Sequence, residues 1–205
     1  QTDARLDAHA AERLLGAAVR HSFDRISVDG QLSTNDTVIL MANGASGVGV
    51  EHASDDELRF GEALDALLRQ LALRIVADGE GARRIGRVHV RGAGEETVER
   101  VARAVANSPL VKAALFGGEP NWGRIAQAIG AALPGSAPLV FDIAIEGITV
   151  ARAGAGAAFD GEALARAVSG EEVLYEIGLA GAGAETEVFF SDLSYDYVKI
   201  NAEYT

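Results

Sequence analysis

Three polar clusters in this chain have residue types able to bind or transform a small molecule. Asp78-Gly79-Glu80-Gly81 sets two carboxylates between glycines, directly behind an apolar stripe of helical period. Acidic side chains at a helix C-terminus oppose the macrodipole. Their presence there points to recognition of a cation or an amine, with the glycines opening the main chain to a ligand; the plain alternative is a helix stop with solvated carboxylates. Ser33-Thr34-Asn35-Asp36-Thr37 precedes an apolar run and reads most simply as a turn tied by Asx and Ser/Thr hydrogen bonds. Gly117-Gly118-Glu119-Pro120-Asn121-Trp122-Gly123-Arg124 holds the only tryptophan, which fits a packed loop anchored by one aromatic ring.

Most other chemistry is excluded. There is no phosphate loop, no dinucleotide-binding glycine fingerprint opening a helix, and no G-x-S-x-G nucleophile elbow. The absence of cysteine removes disulfides, thiolate nucleophiles and Cys-ligated zinc. His9, His21, His52 and His89 are scattered without ligand-like spacing, so no metal site is expected. A net charge of −12 argues against nucleic acid or an anionic membrane as the main partner. No run approaches the roughly 18 apolar residues of a membrane span, and Gln1-Thr2-Asp3-Ala4-Arg5 is no signal peptide. The first residue is not methionine, so a processed chain or a piece of a larger product is expected.

These clusters must be held by helices and strands whose traces are visible. The pattern predicts a helix over Ala8–Phe23 behind an Asp7 cap, with Leu15, Val19 and Phe23 on one face. A short strand is expected at Arg25–Val28 and a buried one at Val38–Ala42. Ser54-Asp55-Asp56-Glu57 has capping-box form, followed by the stripe Leu64, Leu67, Leu68, Leu71 and Ile75. Arg87–Arg91 alternates as a strand, and its His89 face is expected to be solvated; Val98, Val101, Ala102 and Val105 mark a helix that ends before Pro109. Leu110–Phe116 reads as extended and Trp122–Ala131 as a short helix. Beyond a linker at Pro134–Pro138, strands are expected at Leu139–Ile145, Ile148–Val150, Val173–Leu179 and Glu187–Ser191, with a small helix at Gly161–Val168. Mixed elements of this kind favour an α+β layered helix/sheet sandwich, with regions 1–135 and 136–205.

Taken in order, several segments resemble the β-chain of bacterial ornithine acetyltransferases, also called glutamate N-acetyltransferases. They are Ser22-Phe23-Asp24-Arg25 through Asp29-Gly30, Ser33–Thr37, Asp78–Ala82, Ala106-Asn107-Ser108-Pro109-Leu110-Val111-Lys112, Phe116-Gly117, Pro120–Arg124, Asp192-Leu193-Ser194 and Tyr197–Thr205. The resemblance spans nearly the whole chain. It implies a precursor that cuts itself before a threonine, leaving an α-chain and a β-chain that share a self-processing, N-terminal-nucleophile-like layered core. The freed threonine hydroxyl takes acetyl from N2-acetylornithine and passes it to glutamate in a ping-pong cycle of arginine biosynthesis. Its α-amino group, with an ordinary pKa near 8, can serve as the base.

The family's β-chain opens with that threonine and a few apolar residues, and Gln1-Thr2-Asp3-Ala4 matches the segment just after them. The catalytic threonine is therefore expected upstream of Gln1, and Thr2 is not assigned its role. The resemblance carries three substrate-binding positions. Glu80 matches the acidic residue that contacts the amino-acid substrate, Asn201 a substrate-binding asparagine, and Thr205 a hydroxyl residue of the extreme C-terminus. It also implies no cofactor, an α-chain partner in an α2β2 assembly, a cytoplasmic setting, and in some members use of acetyl-CoA. Two other readings stay open: a related self-processing aminopeptidase in which water replaces the amine acceptor, and a non-catalytic binding subunit.

Overall fold

A computed structural model describes residues 1–133, 135, 139–181 and 183–203. The chain forms two compact units, one of residues 1–26 and 32–75, the other of 27–31 and 76–205. The stretch expected as a linker, Pro134–Pro138, lies almost wholly outside the described residues.

In the first unit, Asp7 caps α1 (Ala8–Arg20) by accepting the Ala10 N–H at 2.7 Å. The helix stops short of Phe23: Ser22 turns its hydroxyl back onto the Ala18 carbonyl, and Phe23–Arg25 tightens into a 3-10 turn. Ser54 opens α2 (Asp55–Ala77) by accepting the Glu57 N–H, while Glu57 reaches back to the Ala53 N–H at 2.7 Å. Three acidic residues in that first turn suit the helix dipole. Ala18, Leu64 and Leu68 form the buried centre, with Val38, Leu40 and Phe60 packed against it. Val38–Ala42 is not the buried strand its composition suggests. Only alternate side chains reach the cluster, Ile39 and Met41 are exposed, and the run is held by a lone bridge between Thr2 and Ala42. Without a ladder partner on either side, an apolar run stays irregular.

The second unit is built on a seven-stranded sheet in the order β1-β7-β2-β6-β3-β4-β5. Its strands are β1 (Ile26–Ser27), β2 (Ile85–Arg91), β3 (Phe141–Ile145), β4 (Ile148–Arg152), β5 (Ala155–Gly156), β6 (Glu172–Leu179) and β7 (Glu185–Ser191). β2 runs parallel to β6 and antiparallel to β7, so the last two long strands flank β2 instead of forming a hairpin with each other. The alternation in β2 does what it predicts: Val88 and Val90 are fully buried, opposite Arg87, His89 and Arg91. The polar face is only half solvated, because Arg87 pairs with Glu187 and His89 lies against Glu185.

α3 (Glu95–Ala106) lays Val98, Val101, Ala102 and Val105 on this sheet. α4 (Pro109–Phe116) corrects the extended reading of Leu110–Phe116. Ser108 caps it by accepting the Val111 N–H, and Pro109 occupies the first turn, where its missing N–H costs nothing. α5 (Trp122–Ala132) starts at Asn121, whose Oδ1 accepts the Arg124 N–H. The Trp122 ring lies on Gly156, where a Cβ would come within 2.9 Å of it. The Pro-Asn-Trp-Gly-Arg motif is thus architectural. α6 (Gly161–Ala167) and α7 (Tyr195–Ala202) complete the unit. α7 interrupts a region that reads as strand-rich; its signals are the Ser194 cap, Asp196 in the first turn and Lys199 in the last.

Candidate active site

In the second unit Glu80 follows the end of α2 and meets α7, which in turn reaches the turn after β1. Glu80 and Asn201 stand 121 residues apart, and the Asn201 Nδ2 donates to Glu80 Oε2 at 2.7 Å. The same nitrogen donates to the Tyr197 carbonyl at 3.0 Å, one helical turn back. With its N–H groups engaged, the carboxamide presents an oxygen, and Glu80 presents a carboxylate. This exposed pair is acceptor chemistry, suited to an ammonium or an amide N–H. The third expected position, Thr205, lies outside the described residues.

The glycines around Glu80 have a different use from the one their pattern suggests. Gly81 has φ of +66°, and a Cβ there would sit 2.6 Å from the Tyr197 nitrogen; a Cβ on Gly79 would meet Val28 at 3.1 Å. The chain's own α7 and β1 turn occupy the approach, not a ligand. Ser194 fastens the contact, donating to the Gly81 carbonyl at 2.7 Å while capping α7 through the Tyr197 N–H. Arg83 adds an ion pair to Asp196 at 2.7 Å.

Four further residues bear on this site, all seen in sequence only as parts of motifs. The Tyr197 hydroxyl donates to Asp29 Oδ2 at 3.0 Å. Burial, then that hydrogen bond and the charges of Asp29 and Glu80, push the phenol pKa up. Lys112 is buried, and desolvation brings its ammonium down to about 8 while the Asp29 and Asp192 carboxylates pull the other way. Burial raises the Asp192 carboxyl against the N–H groups of Arg83 and Arg84 and the charges of Arg84 and Lys112. Among the described residues, Asp192 Oδ2 is buried without a hydrogen-bond partner. By contrast, Ser33–Thr37 is the turn expected from its side chains, with Ser33 Oγ accepting the Asp36 N–H at 2.8 Å. No group of side chains fit to hold a metal ion exists among the described residues, and none of their helices is long and apolar enough to cross a membrane.

The ArgJ family profile matches residues 1–205. The chain belongs to the ArgJ family. It is 42% identical over 98% of its length to the arginine biosynthesis bifunctional protein ArgJ of Nitratidesulfovibrio vulgaris, covering 51% of that protein. It is 40% identical over its full length to the glutamate N-acetyltransferase of Methanocaldococcus jannaschii, covering 52% of it. The chain therefore spans about half the length of these curated relatives. Its fold matches the crystal structure of arginine biosynthesis bifunctional protein ArgJ from Bacillus halodurans with a TM-score of 0.92 and 34% identity, covering 99% of this chain and 97% of that one. The mixed helix/sheet architecture is thus that of the ArgJ family.

Proposed function

We propose that this chain is the β-subunit of a glutamate N-acetyltransferase that moves acetyl from N2-acetylornithine to glutamate through an acetyl-enzyme. The observation that carries this reading is the meeting of Glu80 and Asn201 in a chain of the ArgJ family. The Glu80 carboxylate and the Asn201 carboxamide oxygen receive the ammonium or N–H groups of the amino-acid substrate. Thr205, at the end of the same segment, adds its hydroxyl.

The nucleophile is a threonine upstream of Gln1, freed when a precursor is cut. Its hydroxyl attacks the acetyl carbonyl; a C–O bond forms, the C–N bond to ornithine breaks, and the hydroxyl proton leaves with the amine. The α-amine of glutamate then attacks the ester; the new C–N bond forms, the C–O bond to threonine breaks, and the proton lost by the amine goes to the threonine oxygen. Retaining acetyl as an ester conserves its transfer potential, so the cycle needs no cofactor; direct use of acetyl-CoA is a second activity of the same site. The oxyanion of each tetrahedral intermediate is stabilised by donors of the α-chain.

An α-chain from the same precursor is the partner, within an α2β2 assembly. Two facts support it. The solved Bacillus halodurans chain is matched almost whole while full-length relatives are matched by half. Leu67, Leu71 and Ile75 also form an exposed apolar stripe on α2, and a contiguous apolar face of this kind marks a docking surface.

The test is to express the full reading frame, determine the mass and N-terminal residue of each product, and supply N2-acetylornithine with glutamate. Two chains, a new N-terminal threonine and N-acetylglutamate formed with release of ornithine support the proposal. Acetate released without an acceptor favours the aminopeptidase-like alternative, and no turnover by a correctly cut protein favours a binding subunit.

A further inference from the structure

Lys112 is one of two lysines in the chain, and its ammonium is buried beneath α4. Burying an ammonium forfeits hydration that charge partners or several acceptors must replace. Among the described residues its hydrogen-bond acceptors are two main-chain carbonyls, Val28 at 2.5 Å and Ser191 at 2.7 Å, and not a carboxylate. The Phe190 ring lies 5.2 Å from the nitrogen. Methionine would fill similar volume without the desolvation penalty, so packing alone does not account for a lysine here.

The contacts themselves suggest what the ammonium is for. Ser191 Oγ also donates to the Val28 carbonyl, at 2.9 Å. Ser27 Oγ donates to Asn107 Oδ1 at 2.6 Å and accepts the Gly30 N–H. The turn 27–30 is therefore held by residues of the Asn107–Lys112 stretch and of β7. Gly30, with φ of +81°, completes the turn close to the Asn107 side chain. From this turn Asp29 reaches the Tyr197 hydroxyl, and the Tyr197 carbonyl holds the Asn201 carboxamide that meets Glu80.

We propose that Lys112 is a positioning residue for the Glu80–Asn201 pair. By gripping the Val28 carbonyl it aims Asp29 at Tyr197, and through Tyr197 it sets the helix that presents Asn201. The inference rests on the reading that Glu80 and Asn201 bind the amino-acid substrate. It gives one purpose to Asp29, Asn107, Lys112 and Tyr197, of which only Tyr197 touches that pair.

The test uses the complete two-chain protein with N2-acetylornithine as the varied substrate. Lys112→Met and Tyr197→Phe should each raise KM on the order of tenfold while kcat changes by less than about threefold, the signature of misplaced binding groups. The double variant should be no worse than either single, because both break one chain of contacts. Hydrogen exchange across residues 195–202 should quicken in Lys112→Met. A wild-type KM in Tyr197→Phe, or fully additive losses in the double variant, would overturn the proposal. Should Lys112→Met not accumulate in folded form, Tyr197→Phe and Asp29→Asn decide by the same KM criterion. Glu80→Gln separates the two ideas. If it leaves KM unchanged, the substrate reading fails, and the exchange of α7 alone then decides whether Lys112 positions it: faster exchange sustains the role, unchanged exchange ends it.

Discussion

Ser194→Ala should loosen the helix that carries Asn201 without unfolding the rest of the chain. Ser194 is buried, and its Oγ makes two hydrogen bonds, accepting the Tyr197 N–H at 3.0 Å and donating to the Gly81 carbonyl at 2.7 Å. Losing an N-cap costs about 1 kcal/mol, and leaving the half-buried carbonyl without its donor costs about 1 kcal/mol more. The sum of about 2 kcal/mol corresponds to a roughly 30-fold increase in the open population of α7. α7 has no fully buried side chain of its own to resist that opening. The assay is amide hydrogen exchange over residues 195–202, with Ser169→Ala as the control. Ser169 makes a comparable bond, to the Arg166 carbonyl at 2.7 Å, at the end of α6 and far from Asn201 in sequence. Exchange in α7 should rise about 30-fold in Ser194→Ala alone, and on the proposed function KM for N2-acetylornithine should rise with it. Unchanged exchange in α7, or an equal rise in α3, would refute the reasoning.

Other perturbations test other parts of the molecule. Gly86→Ala would place a Cβ 2.2 Å from Cζ of the fully buried Phe190; a loss of about 3 kcal/mol and a fall in Tm of roughly 6–12 °C are expected by calorimetry. Arg84 donates to the carbonyls of Leu115, Val168 and Gly170. Arg84→Lys cannot span all three and should cost about 2 kcal/mol in denaturant unfolding. Lys112 has its folded-state pKa lowered from 10.5 to about 8. The unfolded chain therefore binds more protons between those values, and stability gains as pH rises through that window. Relative to Lys112→Met, the wild type should gain about 3 kcal/mol from pH 8 to 10.5 in urea titrations. Glu57 is held below the ordinary carboxylate value, chiefly by the Ala53 N–H and then, against a burial penalty, by Arg13. Its contribution is present above pH 4.5 and is lost as pH falls through the folded value, so Glu57→Gln should flatten the acid side of the stability profile.

The regular elements were readable where local chemistry and periodicity agreed. Asp7, Ser54 and the Val98–Val105 spacing all mark helices that exist, and Val88–Val90 marks a strand buried on one face. Legibility failed where a short apolar run carries no period of its own. Val38–Ala42 and Leu110–Phe116 look alike in composition, yet one lacks ladder partners and the other has a serine cap and an N-terminal proline. At the site, the juxtaposition of Glu80 and Asn201 is a tertiary fact that only the resemblance anticipated. Lys112 was invisible as a site residue because nothing in a sequence says that an ammonium will end beneath a helix facing two carbonyls. The glycines around Glu80 misled for a related reason: the pattern records that something comes close, but not that the visitor is the chain itself.

The burial of Lys112 also has a practical consequence. Among the side chains of residues 1–205, the only accessible primary amine is that of Lys199, two residues before Asn201 on α7. Within residues 1–205, amine-directed labels, tethers and cross-linkers therefore attach at one defined side chain on α7, the helix that carries Asn201. A fluorophore placed there would report on the opening of that helix, and a tether through the same amine would load the segment that presents Asn201.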